Sequence, residues 1–264
     1  MDLSNIKMVV TDMDGTLLNS NHEVSNRFFE LFESLKKKNI HFVAASGRQY
    51  HSMVDKLDRI KNDMLFIAEN GAIIKNRGET LLTTPLQKED LSTILDTISP
   101  VKNAHPVLCS ESNAYVNGTS DRFISLLKEY YTQLNIVENQ LQVTDEVLKI
   151  AIYHFESSEQ FIYPAVQHLE DILKVKVSGA NWVDISHPNA HKGFALEQVM
   201  TKYGVSSNEV LVFGDYNNDI EMLQLADYSV AMANAHPNVK KVANFETLSN
   251  NEFGVEKVLE QLIA

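Results

Sequence analysis

Ile6-Lys7-Met8-Val9-Val10-Thr11 is a short, apolar, β-branched run that breaks off into Asp12-Met13-Asp14-Gly15-Thr16. A run of this length bounded by turn residues reads as a buried strand, so two carboxylates stand just beyond its carboxyl end. Ile40–Ala45 repeats the pattern and ends in Ser46-Gly47-Arg48. Met64–Ala68 repeats it again and ends in Glu69-Asn70-Gly71. Between the first two runs the spacing predicts a helix over about 25–39. Phe28, Leu31, Phe32 and Leu35 fall on one face, and Lys36, Lys37 and Lys38 lie in the last turn, where cations suit the helix dipole.

Strands alternating with helices predict an α/β fold with a doubly wound parallel sheet. Such sheets bind ligands beyond the carboxyl ends of their strands, where these polar clusters sit. The texture changes near Thr84. Mixed strands follow at Val107–Ser110, Ala114–Val116 and Lys149–Phe155, and Gly179-Ala180-Asn181 joins Leu173–Ser178 to Trp182–Ser186 as a hairpin. The first texture returns with a helix over Lys192–Tyr203 and a strand over Val210–Phe213. That strand ends in Gly214-Asp215-Tyr216-Asn217-Asn218-Asp219. The expected organisation is one core, residues 1–84 and 188–264, with an α+β domain, residues 85–187, inserted in it.

The 264 residues are 44% hydrophobic, enough for a real core, and carry a formal charge of −12. A surface this acidic disfavours nucleic acid and anionic membranes as partners. Cys109 is the single cysteine, which excludes an intrachain disulfide and fits a reducing compartment. Asp2 and Lys7 interrupt the first residues, so no signal peptide is expected, and no run reaches the length of a membrane span. The expected location is cytoplasmic. Asn117-Gly118-Thr119 matches a glycosylation sequon but reads as a turn. Neither a G-x-G-x-x-G fingerprint nor a P-loop is present.

Asp12, Asp14, Asp215 and Asp219, with Ser46, Asn218 and Lys192, would meet on one edge of one sheet. Carboxylates gathered this way repel one another unless a cation holds them, and oxygen donors suit Mg²⁺. His187 and His191, four apart, raise the thought of zinc, but Pro188 denies them a shared helical face and no third ligand is evident.

Together Asp12-Met13-Asp14-Gly15-Thr16, Ser46-Gly47-Arg48, Lys192-Gly193 and Gly214-Asp215-x-x-Asn218-Asp219 resemble the haloacid dehalogenase superfamily. The inserted domain resembles the type C2B cap of its Cof-like phosphatases, as do Asn70-Gly71-Ala72 and Thr247-x-x-Asn250-x-x-x-Gly254-Val255. The resemblance implies a Rossmann-like core with a cap, and an Mg²⁺-dependent phosphatase acting on small phosphorylated metabolites such as sugar phosphates, FMN or pyridoxal phosphate. It implies Asp12 as nucleophile and Asp14 as general acid and base. It further implies Met13, Ser46, Gly47, Lys192 and Asn218 around the phosphate, and Asp12, Asp215 and the Asp14 carbonyl on the metal, with Asp219 behind them. Arg48 is left outside this set as structural. The alternatives are a phosphomutase or phosphotransferase on the same scaffold, and a non-catalytic phospho-receiver. Trp182, Tyr115 and Glu111 are the cap residues that could line a substrate cavity; for Trp182 a place in the cap core competes.

Overall fold

The computed structural model describes every residue except Thr119 and Thr132, so the last residue of the sequon lies outside the described residues. The strands are β1 (Met8–Asp12), β2 (His41–Ala45), β3 (Leu65–Ala68), β4 (Ile73–Asn76), β5 (Glu79–Thr83), β6 (Ala104–Cys109), β7 (Ala114–Asn117), β8 (Leu134–Val137), β9 (Lys149–His154), β10 (Lys174–Gly179), β11 (Trp182–Ser186), β12 (Val210–Gly214), β13 (Tyr228–Ala231) and β14 (Phe245–Glu246). They form two sheets, and the chain divides into two compact units: Met1–Leu82 with Ala190–Ala264, and Thr83–Asn189.

In the first unit the order is β14-β13-β12-β1-β2-β3-β4-β5. From β14 to β3 every pairing is parallel, and β1 lies between β12 and β2. All five residues of β1 and of β12 are buried, which is why these strands read as unbroken apolar runs rather than alternating ones. The sheet is not parallel throughout. β4 runs antiparallel to β3. The pair β4 and β5 was not foreseen, because Arg77-Gly78 looks like an isolated turn until β3 is there to pair with.

The helix expected over 25–39 spans Asn26–Lys37, with the Ser25 side chain accepting the Phe28 amide as its cap. It buries Phe28, Phe29, Leu31, Phe32 and Leu35. Each such side chain contributes about 1.5–3 kcal/mol when fully buried, so packing rather than propensity holds this helix.

The second unit is a six-stranded sheet, order β10-β11-β9-β6-β7-β8, antiparallel except for β7 with β8. Alternating residues separate its two apolar cores. Leu108, Ile150, Ile152, Val183 and Ile185 belong to one; Val107, Cys109, Ala151 and Tyr153 belong to the other with Phe123 and Leu127. Cys109 is therefore a packing residue. Trp182 joins that second core edge-on to Tyr153, ring centroids 4.8 Å apart. Among the described residues no helix is long and apolar enough to cross a membrane.

Candidate active site

The site is built at the carboxyl ends of the central strands. Asp12 is the last residue of β1, 5% exposed, and Asp215 follows β12. Between Asp12 and Thr16 the chain must turn back. Gly15 does this at φ +80°, and a Cβ there would stand 2.2 Å from Asp215 Oδ2. The position therefore needs glycine twice over, for the left-handed backbone and for the carboxylate beside it.

Lys192 opens the helix Lys192–Tyr203 and is fully buried. Its Nζ donates to Asp12 Oδ1 at 2.5 Å and to Asp219 Oδ1 at 2.7 Å. The Asp219 Oδ2 atom accepts the amides of Asp215 and Tyr216 at 2.9 and 3.0 Å. Both oxygens of Asp219 are thus engaged in fixing Lys192 and the loop after β12. A helix start can come this close to the loop 69–71 because Gly71 has no Cβ: one there would meet the His191 carbonyl oxygen at 2.4 Å.

Burial lifts the Asp12 carboxyl well above the ordinary range, the nearby Asp219 and Asp215 add to this, and Lys192 opposes it. Burial also pushes Asp215 up to about 6, with Asp219 as the next cause. Burial alone would lower Lys192, but Asp12 and Asp219 outweigh it and raise its pKa. These directions share one origin. Asp12, Asp215 and Asp219 bring carboxylate oxygens within 4.8 Å of one another, and one ammonium faces three acids.

This donor set fits a hard dication. Two negative charges remain after Lys192 is counted, and the donors are oxygens. Since Asp219 is spent on Lys192 and two amides, the acids of this cluster that could hold a divalent cation are Asp12 and Asp215. Thr16 Oγ1 donates to Asp215 Oδ1 at 3.1 Å and orients it.

Ser46 follows β2 and is buried. Its hydroxyl accepts the Arg48 amide at 3.1 Å, and its carbonyl accepts the Asn70 amide at 2.9 Å. Asn218 Nδ2 donates to Asn70 Oδ1 at 3.0 Å, whereas Lys192 meets Asp12 and Asp219. Asn70 takes a left-handed φ of 56°, and its side chain lies against Gly47. Its place in the site had one sequence signal, the Asn70-Gly71-Ala72 resemblance, which carried no role.

Arg48, left outside the set as structural, pairs with one of its members. Its Nε and Nη2 each donate to one oxygen of Asp14 at 2.6 Å. Half-burial would raise Asp14, but this fork and the nearby His22 outweigh it and hold the carboxyl below its ordinary value. The two histidines weighed for zinc are local caps. The His191 ring accepts the Phe194 amide, and the His187 ring accepts the Asn189 amide. Tyr115 donates to Asp145 at 2.5 Å within its own unit.

The profile of the haloacid dehalogenase-like hydrolases matches residues 9–259. The chain belongs to that family. It is 31% identical to the 5-amino-6-(5-phospho-D-ribitylamino)uracil phosphatase YbjI of Escherichia coli, over 98% of this chain and 96% of that one. It is 25% identical to the 5-amino-6-(5-phospho-D-ribitylamino)uracil phosphatase YitU of Bacillus subtilis, over 96% of each. The crystal structure of TM0651 from Thermotoga maritima superposes with a TM-score of 0.85 at 28% identity, covering 97% of both chains. This haloacid dehalogenase-like protein is a phosphoric monoester hydrolase with a Rossmann-like core and an inserted cap.

Proposed function

We propose that this phosphatase hydrolyses small phosphomonoesters through an aspartyl-phosphate on Asp12, with Mg²⁺ held by Asp12, Asp215 and the Asp14 carbonyl. The observation that carries the reading is the buried Lys192 against Asp12 at 2.5 Å, beside an acidic cluster that one lysine leaves two charges short of balance. The bound metal would supply Lewis-acid charge that offsets the negative phosphoryl group.

The chain's own residues supply the rest. Lys192, itself held by Asp219, keeps the Asp12 carboxylate in one orientation, from which its other oxygen would meet phosphorus in line. As the P–O bond to Asp12 forms, the bond to the leaving oxygen breaks and Asp14, having first taken up a proton from solvent against the pull of Arg48, gives that proton to the leaving oxygen. Asp14 then takes a proton from the water that attacks phosphorus and frees Asp12. Proton transfer of this kind contributes about 10²–10⁴ in rate. Ser46, the Gly47 and Met13 amides, Lys192 and Asn218 would hold the phosphoryl oxygens, with Asn70 steadying Asn218.

Residues 85–187 would act as the cap that selects the substrate. The relatives' ribitylaminouracil phosphate joins sugar phosphates, FMN and pyridoxal phosphate as candidates. A lone cysteine, which suits a reducing compartment, supports a cytoplasmic enzyme. The test is phosphate release from these compounds with Mg²⁺ and with chelator. Release that needs Mg²⁺ supports the reading; equal release in chelator contradicts it.

A further inference from the structure

Arg48 is more elaborately held than a surface ion pair requires. Its amide is tied to Ser46 Oγ at 3.1 Å, and its carbonyl accepts the Glu69 amide at 2.9 Å. Its Nη1 donates to Ser52 Oγ at 3.1 Å, on the helix Tyr50–Lys56. The two remaining edges of the guanidinium meet Asp14 as a fork, one bond to each oxygen, both 2.6 Å. Such a pair fixes the plane of the carboxylate as well as its position. A third residue joins the pair. The Nδ1 atom of His22 lies 3.3 Å from Asp14 Oδ1 and 3.4 Å from Arg48 Nη2, on a residue held at φ +57°. Left-handed backbone at a non-glycine residue is uncommon, and strain of this kind gathers at functional sites. Asp14 itself is two-fifths exposed, on a loop that follows a strand, so nothing in its own packing would fix its side chain.

We infer that Arg48, anchored on Ser46 and Ser52 and seconded by His22, is the positioning residue that sets the orientation of the Asp14 carboxyl at the leaving group. The bland alternative is an ion pair that ties two loops together; exposed pairs usually contribute only about 0–1 kcal/mol to stability. A second alternative is that Arg48 restrains Asp14 away from the reaction. The inference rests on Asp14 as the proton donor, and the two can be separated.

The experiment is a double-mutant cycle of Arg48→Met and Asp14→Ala, with kcat and KM measured on glucose 6-phosphate and on p-nitrophenyl phosphate. Crystal structures of the parent and of Arg48→Met accompany it. If Arg48 acts through Asp14, Arg48→Met lowers kcat on the sugar phosphate on the order of 10²-fold. Adding Arg48→Met to Asp14→Ala then costs less than about threefold further, because both remove one function. The Asp14 carboxyl should lose its single orientation in the Arg48→Met crystal, and Arg48→Lys should fail to rescue, since lysine cannot form the fork. Additive losses, a rise in kcat, or an Asp14 side chain unmoved in Arg48→Met would each overturn the inference. Separately, the aryl ester needs little proton donation. Equal loss on both substrates in Asp14→Ala would overturn the donor role of Asp14, while the non-additivity and the crystal would still decide whether Arg48 positions it. Where neither ester is turned over, the crystal pair alone decides.

Discussion

Lys192 Nζ reaches Asp12 Oδ1 at 2.5 Å across 180 residues of sequence, so the end of β1 and the start of the helix Lys192–Tyr203 are fixed to each other by one buried ion pair. The same ammonium meets Asp219 at 2.7 Å. Removing one partner from a buried pair strands the other charge, which costs about 3–5 kcal/mol. Lys192→Met should therefore abolish phosphate release and lower the denaturation midpoint in chelator. Mg²⁺ should restore part of the stability and none of the activity. Urea unfolding with and without Mg²⁺ checks this.

At Gly15 the prediction concerns the metal. An alanine Cβ would collide with Asp215 Oδ2, which lies 2.2 Å from its ideal position, on a backbone at φ +80°. Gly15→Ala should displace Asp215 and weaken Mg²⁺ binding by about 10–100-fold, the scale seen when a ligand's support is lost. Calorimetric Mg²⁺ titration reads the change directly.

The raised Asp215 gives a pH signature. Its pKa of about 6 stands above the ordinary 3.8, so without metal the folded chain holds a proton that the unfolded chain releases. Stability in chelator should then fall as pH rises through that window. In chelator Asp215→Asn should lose the Asp215 share of that fall and gain on the parent between about pH 4 and about pH 7, while the share from the raised Asp12 remains. In the parent, Mg²⁺ binding should release protons near pH 6, from Asp215 and from the raised Asp12. Calorimetry in buffers of different ionisation enthalpy counts them.

Asn234 and Asn250 latch the loop that carries Asp14. Asn234 Nδ2 donates to the Gly15 carbonyl at 2.8 Å and its Oδ1 accepts the Asn250 amide at 3.1 Å, while Asn250 Nδ2 donates to the Leu18 carbonyl at 2.8 Å. Asn234→Ala should cost about 0.5–1.5 kcal/mol of stability and lower kcat more than KM changes. Thermal melts and steady-state kinetics on the same preparation test both.

The core strands and their polar ends were legible because buried parallel strands are unbroken apolar runs that stop abruptly at polar residues. Met8–Asp12 and Val210–Gly214 are the clearest cases. Lys192 was legible as the cation at a helix start facing the acids, but its complete burial was not, since a lysine at a helix start has no signature of burial. The pairing of Arg48 with Asp14 was not legible because the two stand 34 residues apart, and pairing at that range leaves no periodic trace. Asn70 was hidden for the same reason, its amide oxygen turned toward Asn218 across 148 residues. The pair β4 and β5 escaped notice because a strand added at a sheet edge is decided by the neighbour it finds rather than by its own pattern.

The central claim is that Asp12 is the group that takes the phosphoryl. The most direct measurement is acid-quenched mass spectrometry of the enzyme during turnover, with Asp12→Asn beside it. The account predicts one added phosphoryl group on the peptide containing Asp12 in the parent, and neither phosphorylation nor turnover in the folded variant. Phosphorylation elsewhere, or turnover retained by Asp12→Asn, would contradict it.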